Sequence, residues 1–147
     1  MKITEALLGE HAVFHNLFDY VEQTVPKLRT LAEIRATARM LEQLLEIHSA
    51  SEDELLIEPL EHCLEHLGQR ENFHQEHDEI DGQLRLAQSV RHITQARRHL
   101  LAAVHHSRKH FDKEERFVFP LAEKVMKHKT LESLGETWRK HRKVNAA

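Results

Sequence analysis

His48-Ser-Ala-Ser-Glu52-Asp53-Glu54-Leu55 and His110-Phe-Asp-Lys-Glu114-Glu115-Arg116-Phe117 are two versions of one stretch, and each is followed by a Pro-Leu pair, Pro59-Leu60 and Pro120-Leu121. In both, a histidine stands four residues before a glutamate. On an α-helix that spacing puts the two side chains on one face about one turn apart, able to converge on a single small centre. A shorter echo lies upstream of each: Glu10-His11-Ala12-Val13-Phe14 matches Glu76-His77-Asp78-Glu79-Ile80. The chain therefore reads as two related helix pairs.

The residues between these stretches favour helix. The 147 residues include only four Gly and three Pro, with few β-branched clusters. A first helix is expected from Thr4, acting as N-cap, to just before Pro26, and a second from the Thr30 cap to about Pro59. Residues 61–69, with Gly68, read as a frayed extension or a loop. A third helix is expected over about 71–88, and a fourth from Ser89 or Thr94 to Pro120 or a little beyond. Residues 131–143 read as a short C-terminal helix anchored by Trp138. The expected fold is all-α, an antiparallel up-down four-helix bundle in one domain spanning 1–147, with its core over about 4–122 and an extension over 123–147.

The apolar seams locate the chemistry. Leu7, Phe14, Phe18, Val21 and Val25 follow a four-three spacing in the first helix, and the gap is His11. Leu41, Leu45 and Leu55 leave His48 and Glu52 as gaps in the second. Phe73, Ile80, Leu84 and Ala87 leave His77 in the third. Leu100, Ala103, Ser107, Phe117 and Leu121 leave His110 and Glu114 in the fourth. Each helix thus turns ionisable groups toward the interior that its neighbours define. Six such groups in one core are strongly destabilising unless something pairs them, and metal ions do so economically.

Composition limits the alternatives. The lone Cys63 among 14 histidines excludes a disulfide framework and a Cys-rich metal site. A net charge of −3 gives no electrostatic case for nucleic-acid binding. No apolar run approaches the ~18 residues that span a bilayer, and the first residues lack the pattern of a signal peptide. The expectation is a cytoplasmic protein with no membrane or nucleic-acid partner, and no protein partner can be named. Imidazole with carboxylate suits iron, manganese or zinc. Two carboxylates from facing helices can each bridge two cations, with four histidines terminating them and positions left open. His15 and His74 flank the seam as possible additional ligands. Asp53 and Glu115 are rotated away from the ligand face and read as solvated. His62, Cys63 and His66 read as an incidental group, and the basic run over 139–143 as a solvated helix end.

The order His11, His48-Ser-Ala-Ser-Glu52, His77, His110-Phe-Asp-Lys-Glu114 resembles the hemerythrin-like (HHE cation-binding) family over about residues 4–122. The resemblance implies a non-heme di-iron centre with an oxo or hydroxo bridge, bridging carboxylates from Glu52 and Glu114, and dioxygen, nitric oxide or peroxide as ligand. In the oxygen carriers of that family a further histidine stands four residues before the position of His77. Here that place is Phe73, and His15 and His74 are the candidates for the missing nitrogen. The function expected is binding or sensing of a small oxidant. The alternatives are a redox enzyme acting on peroxide or nitric oxide, an iron buffer or donor, and a helical interaction module that uses metal only for stability. Ferritin-like di-iron proteins place Glu before His in ExxH; here His comes first, at a spacing of four.

Overall fold

The computed structural model describes residues 1–145, and among them the ordered elements are helices, with no strand. Helix α1 spans Ile3–Thr24 and passes through a 3-10 turn at Val25–Lys27, where Pro26 ends it. Helix α2 spans Leu31–Glu52, and α3, Glu58–His66, continues it across a π-helical turn at Asp53–Ile57. Helices α4 and α5 span Arg70–Ser89 and Ile93–Lys113. A second π-helical turn, Glu114–Val118, leads into α6, Phe119–Val125, and α7 covers His128–Asn145. Among the described residues no helix is long and apolar enough to cross a membrane.

The helix starts follow local chemistry. Thr30 caps α2 as expected: its hydroxyl accepts from the Glu33 N–H at 3.2 Å and donates to the Glu33 carboxylate at 2.8 Å. Thr4 does not cap α1. The Lys2 backbone N–H bonds Glu5 at 2.8 Å instead, while Thr4 is buried within the first turn and donates its hydroxyl to Glu123. Residues 61–69 are mostly helix, ended by Gly68 at φ +68°, where the Gly68 and Gln69 N–H groups close back onto Glu65 and Leu64. Helix α5 starts after His92, and α7 extends beyond the expected 131–143 at both ends.

The two π-helical turns reset the seams. In each the backbone closes i to i−5, Glu58 N–H to Asp53 C=O and Phe119 N–H to Glu114 C=O. Pro59 and Pro120 each stand six residues after the first residue of their turn. A proline inside a helix lacks an N–H and crowds the carbonyl four residues back, and a wider turn relieves both. The extra residue rotates everything beyond it by about 100°. Val118 and Ala122 are therefore buried, whereas Phe117, expected inside, is 36% exposed and Leu121 is only half-buried.

Two apolar clusters result. One gathers Phe14 to Val25, Ile34 to Leu45, Ile80 to Ala87 and Ala96 to Phe111 from α1, α2, α4 and α5. The other gathers Ile3, Leu7, residues 55–64, Phe73, Val118, Phe119, Ala122 and Leu131. The order of the clusters reverses from one of these helices to the next, and on each the histidine or glutamate of the seam lies between them. Helix α4 packs most closely on α5 and next on α2, while α7 lies along α1. Gly135 permits that approach, because a side chain there would strike the Met1 and Lys2 backbone.

Candidate metal centre

Between the clusters the six seam residues meet. His11, His48, Glu52 and Glu114 form one group, and Glu52, His77, His110 and Glu114 form a second; in each, one ligand atom per residue lies within 4.8 Å of the others. The two groups share both glutamates. His11 and His48 approach at 3.2 Å through their Nε2 atoms, and His77 and His110 at 2.7 Å. Glu114 spans the groups, with Oε2 3.3 Å from His11 Nε2 and Oε1 2.5 Å from His110 Nε2. Glu52 Oε2 lies 3.8 Å from His77 Nε2 and 4.0 Å from His110 Nε2. His15 and His74 stand outside both groups. His15 faces Arg108 and Glu115, at 3.2 and 3.6 Å, and His74 is exposed.

The outer nitrogen of each histidine has its own carboxylate. His48 Nδ1 donates to Glu10 and His110 Nδ1 to Glu76, both at 2.7 Å. His11 Nδ1 donates to Glu115 at 3.0 Å, and His77 Nδ1 lies 3.9 Å from Asp53. An ionised carboxylate only accepts, so on His48, His110 and His11 a proton is held on Nδ1 and Nε2 is turned inward. These partners obey the sequence repeat: Glu10 and Glu76 precede His11 and His77, while Asp53 and Glu115 follow Glu52 and Glu114. Asp53 and Glu115 are thus not merely solvated, as expected from their angular position. The repeat Glu-His in residues 10–11 and 76–77 was the available signal for the other two.

Outside these carboxylates, other side chains hold the frame. Arg142 Nε and Trp138 Nε1, both on α7, donate to Glu10 at 2.6 and 3.0 Å, and Arg142 also reaches Ser51 at 2.9 Å. The basic stretch of α7 is therefore tied to the site through Arg142. On the other half Lys113 donates to Glu76 at 2.9 Å. Phe111, 2% exposed, stacks on the His11 ring at 3.8 Å between centroids, with Phe14 and Phe119 around it. Phe111 lies one residue off the α5 seam, and seam spacing alone gave no sign of it.

The interior so assembled is rich in acceptors. Glu52 and Glu114 are fully buried, and none of their four oxygens has a hydrogen-bond partner meeting ordinary geometry. Burial, reinforced by Glu114, raises the Glu52 carboxyl well above its ordinary range. Burial acts on Glu114 in the same sense, but His110 and His11 facing it hold its carboxyl low. Burial and the adjacent His110 push His77 down to about 4. Burial also opposes charging of His110, yet Glu114 and Glu76 carry it up to about 9. Protons on His110 and Glu52 therefore separate lone pairs that would otherwise repel. A metal cation does the same with more bonds: inward-facing imidazole nitrogens and unpartnered carboxylates form a donor set that can hold one. No family model, no curated protein and no solved structure matches the chain, so its own residues carry the functional reading.

Proposed function

We propose that this chain is a hemerythrin-like, non-heme di-iron protein that binds or senses a small oxidant, dioxygen, nitric oxide or peroxide. The observation that carries the reading is the sharing of Glu52 and Glu114 between two His-Glu groups, each with two histidines of its own. Two cations side by side are what two shared carboxylates suit. The reading of α1, α2, α4 and α5 as an up-down four-helix bundle is supported by the alternating order of the two apolar clusters along them.

Iron bound in its reduced state would supply electrons and an open coordination position to the oxidant. The residues do the rest. Glu10, Glu76 and Glu115 orient the imidazoles of His48, His110 and His11 and raise their donor strength, and Asp53 stands 3.9 Å from His77 Nδ1. Phe14, Phe111 and Phe119 keep water from the His11 side, and the leucines of the two clusters close the ends. Phe73 is buried against His110, with ring centroids 5.9 Å apart, so that place adds an apolar wall where a third nitrogen would stand. Four nitrogens to two shared carboxylates is a nitrogen-rich set, which favours small-molecule binding over a carboxylate-rich iron-oxidation centre.

The test is metal analysis with an optical spectrum on the full chain isolated from its native host. Two irons per chain and a ligand-to-iron charge-transfer band in the near ultraviolet are expected. One zinc per chain with no visible or near-ultraviolet band refutes the reading. Anaerobic reduction followed by exposure to oxygen then distinguishes a lasting adduct, which supports binding, from turnover, which supports an enzyme.

A further inference from the structure

We propose that divalent cations reach the buried centre from the His77–His110 side, through an acidic cavity between α2 and α4. This inference rests on the metal-site reading above and adds the route and the residues that serve it. The cavity has a volume of about 290 Å³ and a floor that includes His77 and His110. Its walls carry Glu46, Asp53, Asp78 and Asp81 with His74, and among the described residues no lysine or arginine lines it. Behind the floor stand the unpartnered, fully buried oxygens of Glu52, 3.8 Å from His77 Nε2. His77, with 13% of its side chain exposed, is the most open of the four inward histidines; His11, His48 and His110 have 0%, 2% and 2%.

The other approaches are unsuited to a hydrated cation. His11 is sealed by Phe111, Phe14 and Phe119. A cavity of about 270 Å³ touches His48, but Val13, Phe14, Leu17, Leu44 and Ile47 line it, and Glu10 already occupies the outer nitrogen. A cavity of about 290 Å³ outside His110 sets Lys109 and Lys113 against Glu76 and Glu79, so its charges cancel, and Glu76 is already engaged by His110 Nδ1 and Lys113. Of these three cavities, the one between α2 and α4 is where the acids face the ligand histidines without lysine or arginine among the described lining residues. Facing its acids, Arg85 acts on Asp81 from α4, while Glu42 and Glu46 of α2 and Asp78 of α4 add negative charge. Acids around a low-dielectric cleft concentrate cations at its mouth and raise their arrival rate by 10-fold or more.

The test follows cobalt(II) uptake by the metal-free full chain in a stopped-flow spectrometer. Asp78→Asn/Asp81→Asn is expected to load about tenfold more slowly than wild type at about 0.01 M salt. The difference should shrink at about 0.3 M, where screening shortens the reach of the charges. Final stoichiometry and spectrum should match wild type, because neither residue is a ligand. Ser49→Phe, which narrows the cavity, should slow loading at both salt concentrations. The control Glu132→Gln/Glu136→Gln, with the same change in net charge on α7, should load at the wild-type rate. Wild-type rates in the Asp78/Asp81 double variant, or equal slowing in the control, overturn the route and leave the metal site standing. Failure of wild type to take up cobalt at all overturns the metal-site reading, and the route with it.

Discussion

Replacing Glu10 by Gln tests how far the outer carboxylates make the site. Glu10 receives His48 Nδ1 at 2.7 Å on one oxygen, and Arg142 and Trp138 at 2.6 and 3.0 Å on the other. Burial opposes its charge, yet His48 and Arg142 hold the carboxyl down at about 2, against an ordinary 4.5. At ~1.4 kcal/mol per pH decade this gap is worth ~3 kcal/mol of folded-state stability at neutral pH. Because the folded value is depressed, that stability is present above pH 4.5 and lost as pH falls toward 2. Glutamine is isosteric and can still accept from Arg142 and Trp138 through its amide oxygen. Its NH2 group then faces His48 Nδ1, which must become an acceptor, and the ring proton moves to Nε2, where a metal would bind. The metal affinity of the His11–His48 half should fall about 10- to 100-fold, and the metal-free protein should lose about 1–3 kcal/mol. Competition with a coloured chelator reads the first, and urea unfolding at pH 7 reads the second. Affinity within twofold of wild type would refute the tautomer argument, whatever happens to stability.

Other outcomes follow from the same geometry. The metal-free protein should lose about 3 kcal/mol of stability as pH rises from 6.5 through 9, because His110 binds its proton more tightly folded than unfolded; urea midpoints that do not fall across that range in chelator would contradict it. On the di-metal reading Glu52→Leu should abolish two-metal binding and yet make the metal-free protein more stable by about 1–4 kcal/mol, since it removes a fully buried carboxyl whose oxygens have no hydrogen-bond partner; thermal unfolding in chelator decides it. Phe111→Ala should cost about 3–5 kcal/mol and free the His11 ring it stacks on, seen as broadened His11 resonances. His11→Ala should lower bound metal far more than His15→Ala, and equal losses by elemental analysis would remove His11 from the centre.

What the sequence determined by itself was the helical class and the identity of the six converging residues. Both follow from local periodicity: one residue advances 100° around a helix, so a polar residue in an apolar seam is turned inward wherever that helix packs. His11, His48, Glu52, His77, His110 and Glu114 were all legible on that ground, and Leu84 and Leu100 with them. Three matters were settled only by tertiary structure. The first is the seam beyond Glu114, where the Pro120 ring and a π-helical turn shift the register and replace Phe117 by Val118. The second is the set of partners for the outer histidine nitrogens. Glu115 reaches His11 across two helices, a contact set by helix separation and rotation, which no spacing within one chain segment encodes. The third is the asymmetry of an otherwise repeated site. Helix α7 closes over Glu10 on one half, whereas Lys113 alone supports Glu76 on the other, because the C-terminal helix has no counterpart in the first half of the repeat. Periodicity decides which way a side chain faces, and the packing of one helix on another decides what it meets.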